Sequence, residues 1–177
     1  MAGCILDTTY SLSCDRTTPG GIKNVWFGQW NGTTLQYTLT GTNSDIIGTF
    51  SSGTVSFYKL EQEFEKSAVT ITPTINEESL SPRNEVKVEL FFQKMDSTLR
   101  TLLNQLIKGR YRVLFQDQND LYWLANPVSP GRVSGGTIGW GKSLSDLNGA
   151  TLEFSAAEPN LPLLVSQNAV NQVVTSL

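Results

Sequence analysis

A chain of 177 residues is long enough for one domain that buries about 70% of the surface its unfolded form exposes. Its 39% hydrophobic and only 16% charged residues argue against a disordered chain, and a net charge of −3 argues against the basic surface that phosphate binding requires. Histidine is absent, which removes the usual general base, the Ser-His and Cys-His nucleophile pairs and the commonest zinc ligand.

Cys4 and Cys14 are too few for a zinc site and too widely spaced for a C-x-x-C redox motif, so two free thiols are expected, with pairing open only in an oxidising compartment. Met-Ala-Gly-Cys at the start superficially resembles the end of a lipoprotein signal, but no basic or apolar run precedes Cys4. No stretch approaches the roughly 18 apolar residues of a membrane helix, so a soluble protein made without export is expected. Residues 23–30 read as an aromatic and β-branched strand, Asn31-Gly32 as a tight turn and 34–40 as the returning partner. Asn31-Gly32-Thr33 also fits a glycosylation sequon, which has no consequence without export.

Residues 41–53, rich in small polar side chains around Ile46-Ile47, read as a long mobile hairpin or loop, and 54–63 and 67–75 as strands. Pro73 places the second of these at an edge or bulge, and 77–85 is a polar connection. Along 86–95, Val88, Leu90 and Phe92 alternate with Lys87, Glu89 and Gln93, as a half-buried antiparallel strand requires, and Phe91 interrupts the polar face. Asp96 then caps an amphipathic helix over 96–108, whose stripe is Leu99, Leu102, Leu103, Leu106 and Ile107, with Gly109 placed as the C′ glycine. Tyr111, Val113 and Phe115 lead into a turn at 117–120 and a return strand at 121–125, a second hairpin. Residues 127–142 form a glycine- and proline-rich stretch holding Val133, Ile138 and Trp140, and 150–155 a last strong strand. From 158 to 177 the tail is apolar, without clear period, and suited to docking on a neighbour.

Gly136-Thr137-Ile138-Gly139-Trp140-Gly141-Lys142-Ser143 satisfies G-x-x-x-x-G-K-[ST], the phosphate-loop pattern. That loop needs a buried strand before it and a helix starting at Lys-Ser, and the flanks here leave no room for the helix, so a glycine-rich hairpin is expected instead. Asp117-Gln118-Asn119-Asp120 resembles the start of a calcium loop but lacks its glycine and its bidentate Glu. Glu61, Glu63 and Glu65 at strand spacing offer paired carboxylates, though a solvated face explains them as well. Trp26, Trp30, Trp123 and Trp140 would make a sugar-stacking platform if they shared a face, which keeps a non-catalytic carbohydrate-binding β-sandwich module as the alternative reading.

The order of parts, a β-rich body, a small-residue loop, one helix between strands and a final strand, resembles virion structural proteins of tailed bacteriophages, the tail-tube-like family in particular. The resemblance runs from Phe57 to Phe154 through residues 86–95, the capped helix 96–109, the strands 110–117 and 121–125, and Leu147-Asn148-Gly149-Ala150-Thr151-Leu152. Cys14-Asp15 followed by Gly20-Gly21-Ile22-Lys23 is similar to the opening segment of small phage tail and neck proteins. It implies a β-sandwich with a flanking helix and long hairpins that line a homo-oligomeric ring around a DNA channel, and an acidic balance would let DNA slide without sticking.

The expectations are therefore a mainly β chain, an antiparallel β-sandwich or partly closed barrel with one amphipathic helix packed on it, as a single domain over 1–177. It would be a tail-tube or neck ring subunit of the virion, made in the bacterial cytoplasm, with no active site, cofactor or metal. Its partners would be its own copies and other tail or neck proteins, DNA only passing through, and no membrane. Ile46, Ile47, Phe91, Val133, Ile138, Trp140, Leu163 and Leu164 are the candidate assembly contacts.

Overall fold

A computed structural model describes residues 19–41, 45–51, 55–63, 65–75, 81–143, 146 and 148–175. The sequence readings of Cys4, Cys14, the opening segment and parts of the 41–53 and 77–85 connections lie outside these residues. In chain order the elements are β1 (Ile22–Gln29), β2 (Tyr37–Thr40), β3 (Ile46–Phe50), β4 (Phe57–Leu60), β5 (Ala68–Ile75), β6 (Pro82–Gln93) and α1 (Ser97–Lys108). After the helix come β7 (Tyr111–Asp117), β8 (Tyr122–Leu124), β9 (Arg132–Gly139), β10 (Gly149–Glu158), β11 (Leu163–Val165), α2 (Gln167–Val173) and β12 (Val174–Thr175). The fold is mainly β, with two sheets, neither closed into a barrel.

The smaller sheet runs β5-β6-β10-β9 and every neighbour is antiparallel. Its strands alternate. Val86, Val88, Leu90 and Phe92 of β6 and Ala150, Leu152, Phe154 and Ala156 of β10 are buried, while the residues between them face outward. Pro73 sits in β5 at the sheet's edge, where no second ladder needs its missing N–H. The apolar face packs on Val25, Phe27 and Val113 of the larger sheet, and Leu103 and Leu106 of α1 join the same core. Each such side chain contributes about 1.5–3 kcal/mol by leaving water.

The larger sheet runs β12-β4-β1-β7-β8-β11-β3-β2 and buries both faces. Val25 and Phe27 point to the sandwich core, whereas Trp26 between them and Leu114 of β7 belong to a second core with Phe57, Ile47, Val165 and α2. The helix α2 carries the chain from β11 to β12, which pairs with β4 at the other edge. Seven residues of helix rise only about 10 Å, whereas five strand spacings on a flat sheet would span about 24 Å. The sheet must therefore curl around α2, which places Ala169, Val170 and Val173 in the hollow.

Several expectations are corrected. The turn at Asn31-Gly32 forms, with Gly32 at φ 83° and the Asn31 side chain accepting from the Thr33 N–H at 3.2 Å, but its two flanks do not pair. β1 lies between β4 and β7, and β2 pairs with β3 instead, so burial of Leu35 and the curled core override the local hairpin signal. A second helix exists. α2 is short and built from Gln, Asn, Val and Ala, with Ser166 capping it by accepting from the Ala169 N–H at 3.2 Å, so no long apolar period marks it. The described part of the tail docks on its own chain, as β11, α2 and β12.

In α1 the cap is as expected, with Asp96 accepting from the Leu99 N–H at 2.7 Å. Ile107, however, is exposed, which leaves four of the five stripe residues on the core. Gly109 is not left-handed, with φ −87°; a side chain there would run into the Tyr111 ring, whose hydroxyl donates to the Gln105 carbonyl at 2.6 Å. No helix among the described residues is long and apolar enough to cross a membrane.

Candidate functional site

Among the described residues, the four-stranded sheet is open on two edges and one face. Its outer strands β5 and β9 each have eight residues, and three successive antiparallel pairings make them run in opposite directions. The outward face carries Arg83, Lys87 and Arg132 against Glu85, Glu89 and Glu153, so its charges balance and the chain's net negative charge is not concentrated there. Lys87 lies 3.4 Å from Glu89 on its own strand and 3.3 Å from Glu153 on β10, and the Thr137 and Thr151 hydroxyls meet across β9 and β10 at 2.7 Å. Burial weakly shapes such a face, whose exposed pairs contribute at most about 1 kcal/mol each.

At one end of this sheet Ile138 of β9 (43%) and Trp140 in the β9–β10 connection (68%) are exposed. Gly136 holds φ 145° where a side chain would strike the Thr151 carbonyl, so the hairpin requires glycine there. The phosphate-loop pattern falls in this hairpin. Gly136–Gly139 belong to β9, and the Lys142 and Ser143 N–H groups donate to Asp146 Oδ2 at 2.7 and 2.9 Å. The donors that would face a phosphate thus already hold a carboxylate, and those bonds keep the Asp146 carboxyl below its ordinary range.

The other candidate motifs separate. Asp117 is used within its own turn: Oδ1 accepts from the Asn119 and Leu121 N–H groups at 2.8 and 3.0 Å, and Oδ2 from the Trp123 indole at 3.1 Å. Asp120 accepts from Lys23 at 2.6 Å. Glu61 and Glu63 lie outside any strand and Glu65 has φ 59°, so the three carboxylates do not share a strand face. Glu61 and Glu63 border an open groove of about 290 Å³ with Gln62, Phe91, Phe92 and Gln93, in which the Phe91 N–H donates to the Gln62 side chain at 2.8 Å. The tryptophans form no platform: Trp26 is buried, Trp30 is covered by the Arg112 guanidinium at 4.2 Å, Trp123 is hydrogen-bonded and half-buried, and Trp140 alone stands out.

Of the eight candidate contacts, Ile46, Ile47, Leu163 and Leu164 are brought together within the chain. Leu164 pairs with Ile46 in the parallel β11–β3 ladder, Leu163 pairs with Leu124, Ile47 is fully buried and the other three are half-buried. Val133 packs partly on the sandwich core and Phe91 is half-buried beneath Lys66, 5.9 Å from its ring. Ile138 and Trp140 keep open surface.

Sequence reasoning missed a buried charged pair. Arg112 and Glu158 are 0% and 1% exposed. Arg112 Nη2 donates to the Thr33 carbonyl at 2.7 Å, and Glu158 Oε1 accepts from the Val128 and Ser129 N–H groups at 3.0 and 2.5 Å. Burial lowers the Arg112 value and raises that of Glu158, each countered in part by the other's charge. One signal was available: Glu158 continues the inward phase of Ala150, Leu152, Phe154 and Ala156. Comparison of the chain with protein-family models, curated proteins and solved structures finds no match.

Proposed function

We propose that this chain is a non-catalytic structural subunit that assembles with its own copies into a ring of a bacteriophage tail tube or neck, around a channel for DNA. The observation that carries the reading is the four-stranded sheet, whose two oppositely directed edges, equal in length, are free among the described residues. Rotation about an axis along the strands sets β9 of one copy beside β5 of the next as an antiparallel pair, and repetition closes a ring through head-to-tail contacts. Free edges otherwise invite uncontrolled pairing, which natural proteins avoid by covering them. Pro73 confines pairing on the β5 edge to Ala68–Thr72, and β9 offers Ser134–Ile138.

The uncovered face of the same sheet would line the channel. Its balanced charges give no net attraction for a polyanion, so DNA would pass without the counterion release that holds it to basic surfaces. Electron microscopy and light scattering of the purified protein test the reading. Rings or short tubes at high concentration are expected; a strictly monomeric species up to millimolar concentration would contradict it.

A further inference from the structure

Among the described residues, four of the five buried polar or charged ones, Asn84, Arg112, Asn126 and Glu158, gather at one end of the sandwich. Asn126 is fully engaged: its side chain accepts from the Val113 N–H and donates to the Tyr111 and Ser129 carbonyls. Asn84 donates to the Pro159 carbonyl at 3.2 Å. Arg112 and Glu158 are not satisfied in this way. Arg112 Nε and Nη1 and Glu158 Oε2 are buried without a hydrogen-bond partner, and the two side chains make no direct ion pair within 4.0 Å. Orphaned charged atoms of this kind are costly, and native proteins resolve them with protein partners or ordered water.

We infer that Arg112 and Glu158 are the halves of a water-linked pair, closed by buried water, which clasps two loops across the sandwich and holds them more tightly when Glu158 carries its proton. Each half holds one loop. Arg112, on β7, covers the Trp30 ring and binds the Thr33 carbonyl, so it fixes the segment between β1 and β2. Glu158, on β10, binds the Val128 and Ser129 N–H groups, so it fixes the segment between β8 and β9. Three titratable groups act on one another here: Arg112 from β7, Glu158 from β10 and Tyr37 from β2. The ordinary values of Tyr37 and Arg112 lie far above that of a carboxyl, and Tyr37 is raised further, which leaves Glu158 as the switching member. The inference does not depend on the ring reading.

The sign follows from linkage. Burial raises the folded-state value of Glu158 above its ordinary 4.5, so the folded chain binds the proton more readily than the unfolded chain. The stabilisation is fully present below 4.5 and is lost as pH rises through the folded-state value. Denaturant unfolding of the wild type and Glu158→Gln, from about pH 8 down to 4.5, tests this. The wild-type folded-to-unfolded ratio, divided by that of the variant, should rise as pH falls, by up to about tenfold for each unit separating the folded and unfolded values. A ratio of ratios that stays flat would overturn the switch. The wild type alone tests the water: a long-lived contact between water and the Arg112 Nε–H in NMR is expected, and its absence would overturn the water-linked pair even if the variant fails to fold.

Discussion

The two sheets differ in what each leaves to solvent. The eight-stranded sheet is buried on both faces, curled around α2 on one side and packed in the sandwich on the other. Among the described residues, the four-stranded sheet is buried on one face and open on the other, with two unpaired edges. The larger sheet spends most of its apolar surface, the tail included, within the chain, and the smaller one keeps the edges and face on which the proposed assembly rests.

The strongest way to break this comparison is to remove one large side chain from each core. Phe154 is fully buried between the sheets, its ring edge-on to Phe27 at 5.2 Å, and Phe154→Ala should cost about 3–5 kcal/mol by urea unfolding. Leu114→Ala in the curled sheet should cost about 2–5 kcal/mol. Both should unfold in one transition, since β1 and β7 serve both cores; a second transition in Leu114→Ala alone would make the sheets separate units.

Smaller effects sharpen the division. Gly136→Ala forces a side chain into a backbone conformation that L residues rarely adopt and should cost about 1–3 kcal/mol in the same measurement. Asp96→Ala removes the cap of α1 and should cost about 1 kcal/mol. Trp140→Ser should change stability by no more than about 0.5 kcal/mol while lowering the sedimentation coefficient of concentrated protein, because its ring packs on little within the subunit. The smallest effect belongs to Asp146. Its contribution is present above the ordinary 3.8 and is lost as pH falls through its lower folded-state value, which a carboxyl NMR titration would show directly.

Legibility in the sequence followed the same division. In β6 and β10 one face is wet, so the period of two is written plainly from Val86 to Phe92 and from Ala150 to Ala156. In β1 the run Val25-Trp26-Phe27-Gly28 is buried throughout, which erases the period and with it any sign of which strand is the neighbour. Asn31-Gly32 announced a turn and the turn exists, but a turn fixes only local direction, and pairing was decided by the curled core. The tail read as apolar because it is; that its partners are β3, β4 and β8 depends on contacts tens of residues distant in the chain for β8 and more than a hundred for β3 and β4, for which no local pattern exists. Arg112 was hidden for the same reason as β1, lying in a strand with two buried faces.

Amide hydrogen exchange at increasing protein concentration tests the central claim most directly. If β5 of one copy pairs with β9 of the next, outward-facing amides within Ala68–Thr72 and Ser134–Ile138 should slow together as assembly proceeds, while β2 and β12 at the edges of the larger sheet stay unchanged. Exchange at β5 and β9 that is independent of concentration, or protection that grows at β2 instead, would contradict it.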